Sequence, residues 1–264
     1  VNDNPIGIFD SGIGGFTVLR EIQKVLPNEN LLYVADSRHA PYGTKSSVFI
    51  KHRAFSISEF LRQNQVKAIV VACNTATASA IADLRKSFAV PFVGMEPAIK
   101  PAAFLSKKKI IGIMATDGTL KSDKYHKLSS KFDNKTRVIS TPCPGLVEQI
   151  ENGNLDGIKT KELLQQFILP LKDLGIDQLV LGCTHYPLLL DSIRQIAGKK
   201  INIIETGTAV ARQLVWLLNA KGLNSTYTTK SNIKLWVNTD ELQHVENIIN
   251  KLFAMNLKAQ KLNV

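Results

Sequence analysis

The chain has 264 residues, 44% hydrophobic and 21% charged. That mix can build one large or two modest domains and excludes disordered and fibrous classes. Thirty-three basic against 22 acidic side chains leave a formal charge of +11, which invites a nucleic-acid partner. No helix-turn-helix, RNP or zinc-finger pattern accompanies it, and the basic residues are scattered apart from Lys107–Lys109, Lys199–Lys200 and the Lys258–Lys261 tail. A solvated basic surface is the simpler reading.

Residues Val1–Pro5 carry no basic segment leading into an apolar one, so no signal peptide is expected. Ile6–Phe9 reads as a strand running into Asp10-Ser11-Gly12-Ile13-Gly14-Gly15 and a helix over Gly15–Leu26. Leu31–Val34 is the next strand; it leads to Asp36-Ser37-Arg38-His39-Ala40-Pro41-Tyr42-Gly43 and a helix over Ser47–Asn64. Ala68–Ala72 is apolar throughout, as suits a strand covered on both faces, and it feeds Cys73-Asn74-Thr75 and a helix over Thr75–Phe88. Strands Pro91–Val93 and Ile110–Ala115, helix Ser122–Phe132, strand Arg137–Thr141 and helix Thr160–Leu174 follow. Strand Gln178–Leu181 precedes Cys183-Thr184-His185-Tyr186-Pro187 and a helix over Pro187–Ala197. Strand Ile201–Ile204, helix Ala209–Ala220, strand Lys234–Val237 and helix Glu241–Met255 end the series. This alternation predicts an α/β fold with mostly parallel sheets. The longest apolar runs, such as Ile110–Ala115, are about six residues, against about 20 for a membrane-spanning helix, so no membrane span is expected.

Cysteines at 73, 143 and 183 form neither a disulfide framework nor a C-x-x-C zinc spacing. A reducing, cytoplasmic compartment fits that usage. Val66–Thr75 echoes Ile176–His185, each with a buried strand and then a cysteine among small polar residues. Two facing α/β halves, or chance likeness between βα units, would both give the echo. Ligands of α/β sheets bind beyond the carboxyl ends of the strands, where these polar clusters fall. The first cluster imitates a dinucleotide fingerprint, Gly12-x-Gly14-x-x-Thr17 with Asp36 about 20 residues on. Thr17 stands where Gly or Ala would pack, and Asp10 would repel a pyrophosphate, so a nucleotide cofactor is not expected.

Cys73 and Cys183 each follow a strand and precede a helix, whose positive end is expected to lower a thiol pKa. Pro187 suits a first helical position, placing a helix start just after His185. A buried structural cysteine is the alternative for either residue alone; two in matching contexts favour chemistry. Cys143, between two prolines, reads as structural. His185 could move a proton or orient a neighbour. A Cys/His hydrolase would leave Cys73 unexplained, and His39, His52, His126 and His244 read as surface or core residues. Two thiols on opposite walls suit removal of a proton from one face of a carbon and its return on the other. Helix N-termini and the hydroxyls of Ser11, Thr75, Thr116 and Thr184 could stabilise the developing carboxylate charge. Asp10 could recognise an ammonium or help activate a thiol. Without a Schiff-base lysine context or a ligand cluster, neither cofactor nor metal is expected.

Phe9–Gly15, Ala40–Gly43, Val71–Ala76, Gly94–Pro97, Ala115-Thr116, Cys143-Pro144 and Leu181–Pro187 together carry a resemblance over nearly the whole chain. The chain resembles the glutamate racemases of the cofactor-independent aspartate/glutamate racemase superfamily. The resemblance implies two similar three-layer α/β domains with the active site between them, residues 1–96 plus 207–264 facing residues 97–206. It implies a two-base reaction without pyridoxal phosphate, in which Cys73 takes the α-proton of D-glutamate, Cys183 supplies one, and the roles reverse for L-glutamate. Asp10 would assist Cys73 and His185 would assist Cys183, with Asp36 and Glu151 as supporting acids. Substrate contacts would come from Ser11, Pro41, Tyr42, Gly43, Asn74, Thr75, Thr116 and Thr184. It further implies supply of D-glutamate for peptidoglycan and a possible homodimer. Glu205-Thr206-Gly207 departs from the Asp-Ser or Asp-Thr of many relatives, which puts packing at the domain junction in question. Val1 lies nine residues before Asp10, so the precursor-dependent activation tied to an N-terminal extension in some relatives is not expected. An aspartate racemase on the same scaffold and a basic nucleic-acid-binding protein are the competing readings.

Overall fold

Strands and helices alternate along the chain in the computed structural model, which describes residues 2–132, 135–226, 228 and 232–264. The chain begins β1 (Ile6–Asp10), α1 (Phe16–Val25), β2 (Leu31–Ala35), α2 (Ser47–Gln63), β3 (Ala68–Val71), α3 (Asn74–Ser87) and β4 (Phe92–Val93). After α4 (Ile99–Leu105) come β5 (Ile110–Ala115), α5 (Asp117–Leu120), α6 (Asp123–Ser129) and β6 (Arg137–Pro142). Then follow α7 (Leu146–Glu151), α8 (Ile158–Asp173), β7 (Gln178–Leu181), α9 (Leu190–Ala197) and β8 (Asn202–Ile204). The last stretch is α10 (Gly207–Lys221), β9 (Ile233–Val237), α11 (Leu242–Phe253) and β10 (Ala259–Lys261).

Two sheets result, ordered β10-β9-β2-β1-β3-β4 and β6-β5-β7-β8, and every strand pairing is parallel. The β-branched residues of β1, β3 and β7 are buried on both faces, as a parallel strand between helical layers requires. Ile6 lies level with both Leu31 and Ala68, so β1, β2 and β3 bring Asp10, Asp36 and Cys73 out at one edge. In the second sheet Met114 pairs with both Thr141 and Leu181, which brings Thr116, Cys143 and Cys183 out together.

One apolar core runs from Ile6, Ile8 and Phe16 through Leu146, Ile150 and Leu181, and so joins the two sheets. A second, with Phe9, Val34, Ile57 and Val71, covers the other face of the first sheet, and a third, with Ile99, Ile113 and Val180, covers the second. Each fully buried side chain of this kind contributes about 1.5–3 kcal/mol. α1 buries Phe16, Val18, Leu19 and Ile22 along one stripe, and it packs on α10, which buries Val210, Ala211 and Leu214. No helix among the described residues is long and apolar enough to cross a membrane.

The expected strands lie within a residue of their observed bounds. Among the described residues, α4, α5, α7, β10 and the 3-10 turns Ser37–His39 and Tyr42–Thr44 escape the sequence pattern. They are short, and β10 has no apolar alternation; it is held by β9 and by Glu246, which accepts the Ala259 N–H at 2.8 Å. The helix expected from Pro187 is corrected: Tyr186–Leu189 is a 3-10 turn, and α9 starts only at Leu190. No side-chain cap opens either one: His185, before the turn, directs its ring to Glu151, and Leu189, before α9, has no polar group to offer.

Candidate active site

Asp10, at the tip of β1, is wholly buried. Its Oδ1 accepts the Ser11 N–H and its Oδ2 the Gly15 N–H, both at 2.7 Å. The Thr184 hydroxyl reaches across from the second sheet to donate to Oδ2 at 3.2 Å. Burial pushes the Asp10 carboxyl above its ordinary range, against the charge of His185 and a hydrogen bond from Cys73.

Cys73 caps α3, its sulfur accepting the Ala76 N–H at 3.5 Å and lying 4.0 Å from Ser11 Oγ. The expectation of a lowered pKa is overturned here. Burial, then the neighbouring Asp10 carboxylate, drives the thiol well above its ordinary value, and Cys183 adds to the effect. Desolvation and like charge outweigh the helix end. Cys183, also buried, leads into the 3-10 turn and lacks the α-helix N-terminus expected for it. Its sulfur stands 3.7 Å from His185 Nδ1.

His185 Nε2 donates to Glu151 Oε1 at 2.5 Å, and Glu151 also accepts the Ile13 N–H at 2.8 Å. Burial alone would lower the imidazole pKa; the hydrogen bonds to Cys183 and Glu151 and the Glu151 charge prevail and raise it well above its ordinary value. A Cβ built on Gly12 would overlap the Glu151 carboxylate, and one on Gly14 the His185 ring. The glycine loop that imitates a nucleotide fingerprint therefore makes room for an acid and an imidazole of the other half. Tyr33 fixes that loop by donating to Gly12 O at 2.7 Å.

Asp36 touches neither thiol. It accepts from Tyr42 Oη at 2.5 Å, from Arg53 through Nε and Nη2 at 3.0 Å each, and from Asn238 Nδ2 at 2.7 Å, with His39 Nδ1 at 3.0 Å. Burial would raise this carboxyl, but the hydrogen bonds, led by Arg53, hold it below its ordinary range. The cluster anchors Pro41, Tyr42 and Gly43. A Cβ on Gly43 would come within 2.7 Å of Thr116 Cβ, so the two halves meet there. Beside that contact the Thr75 hydroxyl lies 2.9 Å from Thr116 Oγ1 and 3.1 Å from Thr119 Oγ1. The Asn74 amide is buried with neither Oδ1 nor Nδ2 partnered, the condition of a group kept for a polar ligand. Cys143 is buried, its thiol donating to Thr141 O at 3.4 Å.

The structure thus gathers Asp10, Ser11, Cys73, Asn74, Thr75, Thr116, Cys183, Thr184, His185 and Glu151 around the junction of the two sheets. It sets Asp36 one layer behind, reaching the site through Tyr42. Arg53, Asn238, Thr119 and Tyr33 were not singled out from sequence, because each earns its place by a contact distant along the chain. Among the described residues no three His, Cys, Asp or Glu side chains gather as a metal site would require.

The sequence matches the Asp/Glu/Hydantoin racemase family over residues 13–214. It is 53% identical over 222 residues to a glutamate racemase of Methylococcus capsulatus, an alignment covering 84% of this chain and 82% of that one. The fold superposes on a glutamate racemase isoform of Bacillus anthracis with a TM-score of 0.91 and 33% identity, covering 100% of this chain and 99% of that one. The Francisella tularensis glutamate racemase in complex with D-glutamate gives 0.86 and 29%, covering 100% and 98%.

Proposed function

The chain belongs to the Asp/Glu/hydantoin racemase family, and from that premise we propose that it interconverts L- and D-glutamate by a two-thiol transfer at Cα. With D-glutamate, the Cys73 thiolate takes the α-proton: the Cα–H bond breaks, S–H forms, and the electron pair spreads into the α-carboxylate. The Cys183 thiol then delivers its proton to the opposite face, leaving a thiolate held by His185. L-glutamate runs the sequence backwards.

One observation supports this reading above the rest. Two buried thiols come from the tips of strands in different sheets, and each has its own proton-handling neighbour: Asp10 for Cys73, His185 for Cys183. Asp10, which holds the Cys73 thiol protonated, is also the group that an arriving substrate ammonium would neutralise, so binding itself would acidify the base. Ser11, Asn74, Thr75, Thr116 and Thr184 would hold the carboxylates, with Pro41, Tyr42 and Gly43 closing the far wall. Residues 1–96 with 207–264 would form one domain facing 97–206, with the substrate between them. The cellular role that follows is cytoplasmic supply of D-glutamate for peptidoglycan.

Cys73→Ala and Cys183→Ala are each expected to abolish net racemisation, read by polarimetry on both glutamate enantiomers with aspartate as control. Undiminished activity in either variant would end the two-thiol proposal. In heavy water the product enantiomer is expected to carry deuterium at Cα; protium retained in the product would instead indicate one base.

A further inference from the structure

Two cavities with no lining residue in common open on the junction between the halves. The front one, about 540 Å³, has Gly43 and Gly118 in its wall. A Cβ on Gly118 would come within 2.9 Å of Thr75 Cγ2 and 3.1 Å of Gly43 O, so its floor is the closed contact between the halves. Its rim carries Lys45, with Lys51, Lys121 and Lys124 paired to Asp83, Asp117 and Glu96. The rear one, about 320 Å³, has Cys183 and Thr184 in its wall. Its charged lining is Glu21, paired with Lys24, and Glu205. At its mouth the Thr208 hydroxyl donates to Glu21 Oε2 at 2.9 Å.

We infer that the rear cavity is a second, proton-conducting access to Cys183, which serves that thiol while the substrate cleft stays shut. The inference rests on the two-thiol reading above. After each D-to-L turnover Cys183 is a thiolate and must regain a proton before it can repeat the step. A cavity of this size holds several waters at about 30 Å³ each. A cavity water gives its proton to the sulfur, one O–H bond breaking as S–H forms, and the hydroxide left is neutralised by a proton relayed from bulk. Lys45 on the front rim adds to an overall charge of +11 that draws anionic glutamate; Cys73 does not line the rear cavity, so a path through it reaches Cys183 alone.

A small neutral thiol reagent tests this. Under saturating D-glutamate, methyl methanethiosulfonate is expected to label Cys183 at least about tenfold faster than Cys73, which the substrate protects, as read by peptide mass spectrometry. Thr208→Trp, a plug at the rear mouth, is expected to suppress the Cys183 labelling and to slow steady-state turnover while sparing the first turnover of freshly mixed enzyme. Equal protection of both cysteines, or labelling and turnover unchanged by the plug, would overturn the rear access. Failure of D-glutamate to protect either cysteine would instead count against the substrate reading itself.

Discussion

Glu151 illustrates how one carboxylate couples chemistry to assembly. It holds the His185 ring and the Ile13 amide together, so the acid that raises the imidazole pKa also ties the halves. A histidine with a raised folded-state pKa contributes stability that is full below its unfolded value, near 6.5, and is lost as pH rises through the folded value. Glu151→Gln is therefore expected to flatten the fall in thermal midpoint between neutral and alkaline pH, and to move the alkaline limb of the pH–rate profile to lower pH. Unchanged profiles would show that Glu151 does not set the His185 proton. Gly12→Ala should cost about 1–3 kcal/mol, since the new methyl must displace that carboxylate; denaturant unfolding measures it. The chemistry-bearing residues of this site were legible because Asp10, Cys73 and Cys183 stand at the ends of apolar strands. Their acidity was not: the Cys73 thiol answers to burial and to Asp10, which meet it only in the folded chain.

Among the elements, the loop between β2 and α2 depends most on remote support. Arg53 lies 17 residues from Asp36 and Asn238 lies 202 residues away, and both converge on the carboxylate that holds Tyr42. Arg53→Met leaves that buried charge without its main partner, at a cost of about 3–5 kcal/mol, and is expected to raise KM for glutamate more than it lowers kcat. Arg53→Lys should recover only part, because an ammonium cannot reproduce the two-pronged contact. Asp36 contributes stability above its unfolded pKa, and this is lost as pH falls through the lower folded value; Arg53→Met should shrink that acid-side loss in a pH series of unfolding midpoints. The long strands and helices could be read from periodicity, which records which face is apolar. Periodicity does not record which polar side chain meets which, so Arg53 and Asn238 stayed hidden, and the turn at Pro187 misled because a favourable first residue does not supply a cap.

For the whole molecule, the charge of +11 is a surface property with local structure. Raising salt from about 0.1 M to about 1 M shortens the Debye length from about 10 Å to about 3 Å. This is expected to raise KM for glutamate, and Lys45→Glu at the front rim should blunt the response; a salt-independent KM would remove the steering role. The sheet order carries a different consequence. The strands of the second sheet, β5 to β8, are consecutive along the chain, whereas the first sheet needs β9 to flank β2 and β10 to flank β9. During synthesis the middle lobe can therefore mature while the earlier one waits with an open flank. Asn238 directly follows β9, so the Asp36 cluster is completed only once that strand has been synthesised.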